Sequence, residues 1–298
     1  MEGSSPAPDC GSWYDCARAA LPNDPSDMHA IGRPVKRLGS SPFRGPFRRS
    51  KGRVPVLTLL TPVAERAPQW LGELADDVAE LRRRVGREHR IEWIVCADGA
   101  SFVTAPGASA THVGWAGGAA VARTRALSVA QGEWVLPMDA DDRIDIDGVT
   151  AVLAILLGVS SDVGWAGAAR VLVDGWTIEQ SHVPERQWAI GDLAAHWRSP
   201  FAFHPNSIFV RREIALQVGG WPALPVNEDL GFALLVGEAA AGITLPTTVT
   251  RYRAWPGQTV AQPDYPSAKA VAFETIAALV NATRRVNGRG AVAAPPPA

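Results

Sequence analysis

Residues 133–142 read Glu-Trp-Val-Leu-Pro-Met-Asp-Ala-Asp-Asp. An apolar run that ends in three carboxylates within four residues predicts a buried strand opening onto an acidic turn. Two earlier segments have the same form. Residues 54–60 are an apolar run ending at Thr61-Pro62, and residues 91–96 are another, closed by Asp98-Gly99. Between those two, Leu71, Leu74, Val78, Leu81 and Val85 recur at spacings of three and four, the period of an amphipathic helix. An alanine-rich helix is expected at 119–130 and a further helix at 149–157. Strand, helix, strand, helix, strand in this order predicts a parallel sheet with right-handed crossovers. The second half is less regular. Residues 163–173 read as a strand ending in a hairpin signal at Asp174-Gly175, residues 207–210 as a short strand, and residues 228–240 and 270–286 as helices.

The 298 residues carry 29 Lys and Arg against 30 Asp and Glu, a formal net charge of −1. A dedicated nucleic-acid binder normally has a basic excess, so no nucleic-acid partner is expected. An apolar fraction of 47% excludes a chain disordered throughout. Three cysteines, Cys10, Cys16 and Cys96, are too few for a disulfide framework or a four-ligand zinc site, which points to a reduced, cytoplasmic setting. The longest purely apolar stretch, residues 151–157, falls far short of the ~20 residues a membrane span needs, and the N-terminus lacks the apolar core of a secretion signal. Residues 1–53 stand apart, with seven Pro, six Gly, seven Ser, and nine Lys and Arg against five acids. They read as a disordered basic segment, a solvated linker with scope for weak contact with an anionic membrane surface. Residues 287–298 read as a second disordered tail.

Ligands of an open parallel sheet bind beyond the carboxyl ends of the strands. Three strand ends here finish in polar or turn residues: Thr61, Asp98, and Asp139 to Asp142. Clustered carboxylates repel unless a cation or hydrogen-bond donors balance them, and hard oxygen ligands favour magnesium or manganese. Arg143 occupies the third acidic position of an EF-hand loop and so argues against that reading. It also stands where haloacid dehalogenase-type phosphatases carry Thr or Val. A solvated acidic turn accounts for an isolated Asp-x-Asp equally well. Asn227-Glu228-Asp229 opens a helix after a Gly-Gly-Trp-Pro turn, where acids also serve simply as partners of the helix dipole. No Gly-x-Gly-x-x-Gly follows the first strand, which excludes the dinucleotide oxidoreductase pattern. Trp165, Trp176, Trp188 and Trp197 suit sugar stacking or core packing alike. His182 and His204 read as loop or core residues, and Cys96 as an inert core thiol.

Taken in order, the segments VLTLLTP, EWIVCADGAS, AVARTRAL, GEWVLPMDADD, HPNSIFVRRE, VGGWP, NEDLGFALL and YRAWPGQT resemble the motifs of the family 2 glycosyltransferases across residues 54–259. The resemblance implies the GT-A fold: an α/β, Rossmann-like and mostly parallel sheet flanked by helices. A nucleotide-sugar-binding half would span 54–160, and a smaller, mixed acceptor-binding and catalytic half of the same domain 161–286. It implies that Thr61 and Pro62 meet the nucleotide base and that Asp98 hydrogen-bonds a uridine base. Arg123 would lie near the nucleotide and its phosphates. Asp139, Ala140 and Asp141 would form the Asp-x-Asp motif, with Asp139 facing ribose or sugar and Asp141, assisted by Asp139, holding Mn2+ or Mg2+. Asp229, beside Glu228, matches the general base of inverting members. Three positions depart from the pattern: Ala97 replaces an Asp, Ala64 stands where Tyr is frequent, and Trp255 stands where non-processive members often carry His.

The implied activity is metal-assisted transfer of one sugar, with inversion, from a nucleotide diphosphate sugar (a UDP-sugar by preference) to an acceptor hydroxyl. The acceptor would be a natural product, peptide, lipid carrier or glycan. The Gln-x-x-Arg-Trp motif of processive polymer synthases is absent, so a single addition is expected. A sugar nucleotidyltransferase of related fold lacks support, because residues 61–68 contain no glycine. A catalytically silent binding module of the same shape is opposed by the intact Asp-x-Asp and Glu-Asp pairs.

Overall fold

The computed structural model describes residues 55–64, 70–86, 89–99, 103–173, 178–180, 182–197 and 201–295. The basic segment expected at 1–53, the turn at Asp174-Gly175 and Trp176 lie outside the described residues. In chain order, β1 (Leu57–Val63), α1 (Leu71–Val85), β2 (Ile91–Ala97), β3 (Ser109–His112), α2 (Ala119–Val129) and β4 (Trp134–Pro137) lead to the acidic turn. Then come β5 (Arg143–Ile144), α3 (Ile146–Gly158), β6 (Val163–Val173), β7 (Ile178–Gln180), β8 (Arg186–Trp188), α4 (Asp192–Ala195) and β9 (Ile208–Arg211). The last elements are α5 (Arg212–Gln217), α6 (Glu228–Ala239), β10 (Ala241–Arg253) and α7 (Tyr265–Val286).

β1 is buried along its whole length. It pairs in parallel with β2 on one side and β4 on the other, and β3 extends the parallel set beyond β2. Alternate side chains serve opposite faces. Leu57, Leu59, Trp93 and Leu136 join the core built with α1 and α3, while Leu60, Ile94, Cys96 and Val135 join the core built with α2 and α6. Burial on both faces is why these strands read as apolar runs with no polar alternation. α2 buries Ala120, Ala122 and Ala126, and its small side chains let the helix lie close against β1.

Among the described residues all ten strands belong to one sheet, in the order β3-β2-β1-β4-β9-β6-β10-β5, with β7 on β6 and β8 on β10. β9 runs antiparallel to both β4 and β6, so residues on either side of position 160 share a continuous sheet. β6 and β10 pair in parallel, and β5 returns antiparallel to β10. The sheet is therefore parallel in its first half and mixed in its second. β10 has no counterpart in the sequence reading: Pro246 and register shifts near Thr244 and Thr248 break its period of two. Among the described residues no helix is long and apolar enough to cross a membrane.

The chain expected to be loose from residue 287 is held against α7 and α6 as far as Val292 and Ala294. Asn281 on α7 exchanges two hydrogen bonds of 2.8 Å with the backbone of Val292. Arg284 donates to the Gly290 carbonyl at 2.5 Å and to the Gly191 carbonyl at 3.0 Å. Arg284 also pairs with Glu238, a wholly buried carboxylate on α6 that receives Arg289 at 2.6 Å. Beyond the Asn-Gly-Arg-Gly stretch, Val292 and Ala294 also pack against the core beside α6 and α7. Glu238→Ala should lower unfolding free energy by about 3 kcal/mol in urea titration, because Arg284 is left buried without its carboxylate. A loss under about 1 kcal/mol would show that the tail does not depend on this pair.

Candidate active site

β4 delivers its chain to the C-terminal edge of the parallel strands, where the Asp142 amide donates to the Asp139 carbonyl at 3.2 Å and closes the acidic turn. Arg143, immediately after it, clasps Asp77 of α1 with two bonds of 2.6 Å and reaches Glu73 at 3.0 Å. A bidentate guanidinium–carboxylate pair fixes both distance and orientation, so the turn is anchored to α1. On the other side Arg123, one turn into α2 and 3% exposed, lies between two acids from remote segments. It donates to Asp139 Oδ1 and to Glu228 Oε1, each at 2.5 Å. The second oxygen of Asp139 accepts from Asn206 Nδ2 at 2.5 Å. Residues 105 apart in the chain, Arg123 and Glu228, are thus joined with Asp139 in one buried network.

Glu228 and Asp229 open α6 after Asn227, whose φ of 57° makes it the one non-glycine residue with positive φ among those described. Asparagine tolerates that left-handed conformation, and here it turns the chain sharply into the helix. Burial and the adjacent Glu228 carboxylate push Asp229 up to about 7, against the attraction of Arg123. Burial, then repulsion from Asp139, raises Asp141, and Asp142 is raised well above the carboxylate range by burial, Asp139 and Asp141. His204 is held well below its usual range by burial, Arg170 and Arg123. Its imidazole is therefore neutral, and Nε2 accepts from Arg170 at 2.7 Å.

The remaining expected site residues are distributed as follows. Thr61 is fully buried, and its hydroxyl accepts from the Trp93 indole at 3.0 Å; Pro62 is buried beside it. Ala140 is buried within the turn. Asp98 accepts from the amides of Gly117 at 2.6 Å and Gly118 at 3.0 Å, so it ties the end of β2 to the start of α2. Trp165, Trp188 and Trp197 are core residues, the first two donating to the Ala240 carbonyl and the Thr244 hydroxyl. Cys96 is buried, and burial lifts its thiol to about 11.

Sequence reasoning assigned no role to Asn206, Arg253 or Gln258, which surround the turn. Arg253 donates from its amide to Asp142 Oδ1 at 3.0 Å and from Nε to the Asp141 carbonyl at 2.9 Å. Trp255 donates its indole N–H to Asp141 Oδ2 at 2.7 Å. Asn206 and Arg253 lie inside the quoted HPNS and YRAW segments, so their place in the chain was visible though their function was not. A cavity of about 900 Å³ is lined by Trp255 together with Trp70, Glu73, Arg143, Arg251 and Arg253, among others. Among the described residues, the buried side-chain atoms without a hydrogen-bond partner are Arg123 Nε, His204 Nδ1, Asn206 Oδ1, Trp221 Nε1, Asn227 Oδ1 and Thr247 Oγ1, none of them on a residue lining that cavity.

No cluster of three or more His, Cys, Asp or Glu able to hold a metal exists among the described residues. Mg2+ and Mn2+ sites, however, often rest on one or two carboxylates completed by substrate phosphate and water. The turn fits such an ion: Asp139 repels both Asp141 and Asp142, Asp141 repels Asp142, and burial and repulsion together keep both above the carboxylate range. Both oxygens of Asp139 are already engaged by Arg123 and Asn206, which leaves Asp141 as the better ligand.

Asp229 retains its proton to about pH 7 in the folded chain but loses it near 3.8 when unfolded, so its contribution to stability falls as pH rises between those values. Asp229→Asn should therefore raise the melting temperature at about pH 8, with the gap closing towards about pH 4. Equal melting temperatures at both ends would refute the raised pKa.

Residues 105–215 match the family model described as Glycosyl transferase family 2. Among curated proteins, none matches the chain by sequence. Several solved structures share the fold. TarS 1–349 from S. aureus is 16% identical, with a TM-score of 0.52 over 75% of this chain and 64% of that one. Its complex with UDP-GlcNAc aligns with a TM-score of 0.53 and 15% identity, over 78% of this chain and 74% of that one. The chain covers 39% of the longer S. aureus TarS structure. A mannosyltransferase from Pyrobaculum calidifontis, crystallised with GDP-Man and Mn2+, is more distant at a TM-score of 0.49. The family match holds Arg123, Asp139, Asp141 and Asn206 and stops before Glu228, while the sheet carries the fold on to β10. Residues 105–215 thus carry the match to family 2 glycosyl transferases, with the acidic turn inside it, in a chain whose fold is shared with TarS.

Proposed function

We propose that this protein transfers a single sugar, with inversion, from a nucleotide diphosphate sugar to an acceptor hydroxyl, and that the donor is a UDP-sugar. The observation that carries this reading is the buried Arg123, which brings the Asp139–Asp142 turn and the Glu228–Asp229 pair to one place. The uridine preference draws support from TarS, a neighbour in fold crystallised with UDP and with UDP-GlcNAc.

Asp229 is the general base. Its pKa of about 7 lets it lose its proton near neutral pH and accept one from an attacking hydroxyl, the match of acidity to working pH that proton transfer favours. Glu228 raises the basicity of Asp229 by its charge, and Arg123 holds Glu228 in place. Asp139, fixed by Arg123 and Asn206, presents a rigid polar wall to the ribose or sugar. Asp141 holds Mn2+ or Mg2+, which when bound supplies Lewis-acid stabilisation for the departing diphosphate. The acceptor is a natural product, peptide, lipid carrier or glycan, and the reaction takes place in the cytoplasm.

Asp229→Asn should lower the transfer rate by about a hundredfold or more while the dissociation constant for UDP stays within about twofold. Turnover by the wild type should rise with pH to a plateau above about 7, as Asp229 becomes ionised. Full turnover in the Asn variant would remove Asp229 from this role.

A further inference from the structure

The segment from Arg253 to Gln258 leaves the end of β10 and runs across the acidic turn. It grips the turn at three points: the Arg253 amide on Asp142, Arg253 Nε on the Asp141 carbonyl, and the Trp255 indole on the Asp141 carboxylate. The segment is itself braced. Gln258 donates from Nε2 to the Arg253 carbonyl at 2.6 Å and accepts from the Trp255 amide at 3.3 Å. Arg253 is tied to Glu73 of α1 at 2.8 Å. The indole of Trp255 is boxed in on two sides. Trp70 lies against it with ring centroids 4.7 Å apart. Gly257 lies so close to it that a Cβ there would stand 1.8 Å from Cζ3 of the ring.

An indole N–H donates and has no lone pair to offer a metal. Trp255 therefore cannot act on a cation directly, and its one polar atom is directed at the carboxylate that the proposed function assigns to the cation. We infer that Trp255 is a positioning residue: its indole N–H holds Asp141 in the orientation that takes up the divalent ion, and Gly257 exists to seat that indole. Partners of this kind, one bond removed from a metal, fix ligand geometry, and their loss typically weakens metal affinity by about 10- to 100-fold. The inference rests on the metal role given to Asp141 and adds a device that sets it.

The test is Mn2+ binding followed by electron paramagnetic resonance with saturating UDP, alongside calorimetric titration of UDP without metal. Trp255→Phe keeps the ring and removes the donor; Gly257→Ala keeps the donor and displaces the ring. Both variants should weaken Mn2+ binding by about 10- to 100-fold with metal-free UDP affinity close to the wild type, and Trp255→Phe should also keep the wild-type melting temperature. A purely structural role would move melting temperature and UDP affinity together with Mn2+. Trp255→Phe binding Mn2+ as tightly as the wild type, or more tightly, would overturn the inference, and so would wild-type affinity in folded Gly257→Ala. Should either variant fail to fold, the other decides. Wild-type protein that binds UDP but takes up no Mn2+ with it would instead remove the metal role of Asp141, and the positioning role with it.

Discussion

The candidate site depends on one guanidinium. Arg123 is buried, and a buried charge is tolerated only when paired and hydrogen-bonded. It finds its partners on two segments that the sheet brings in from far along the chain: Asp139 after β4 and Glu228 at the head of α6. The acids need the cation as much as it needs them: burial and neighbouring carboxylates hold Asp141, Asp142 and Asp229 above the usual carboxylate range. That mutual need converts a parallel sheet edge, an acidic turn and a helix start into a single rigid frame. Without it the two acidic segments would repel each other across the cleft.

Around this centre the turn is held by three further elements. Arg143 locks it to α1, Asn206 caps Asp139, and the stretch after β10 covers Asp141 and Asp142. Each support comes from a different part of the chain. The turn is therefore positioned by the whole tertiary structure, as a preorganised site requires, and not by the local preferences of Asp-Ala-Asp-Asp.

Much of the frame was legible in the residues because it is written in local patterns. β1, β2 and β4 are apolar runs, α1 has its period, and the polar strand ends mark the edge where ligands bind. Asp139, Asp141 and Asp229 were visible as acids at strand and helix ends. What was not legible depends on side chains meeting at a distance. Nothing in the run around Asn206 announces that its amide will cap Asp139. Nothing in Tyr-Arg-Ala-Trp indicates that an arginine and a tryptophan will both turn towards the acidic loop. β10 was missed because Pro246 and its bulges erase alternation, and the fastening of residues 287–294 because it rests on a few Arg and Asn contacts and two short apolar side chains, which form no period. Thr61 and Asp98 stand at the expected edge, yet the one is sealed by Trp93 and the other is engaged by glycine amides.

That engagement of Asp98 has an electrostatic sequel. The amides at the start of α2, the natural attractor for an incoming anion, already face a carboxylate. Arg123, Arg143 and Arg253 are likewise neutralised by the acids they hold. In the proposed reaction an entering diphosphate would meet three guanidinium groups that the chain has already paired with its own acids.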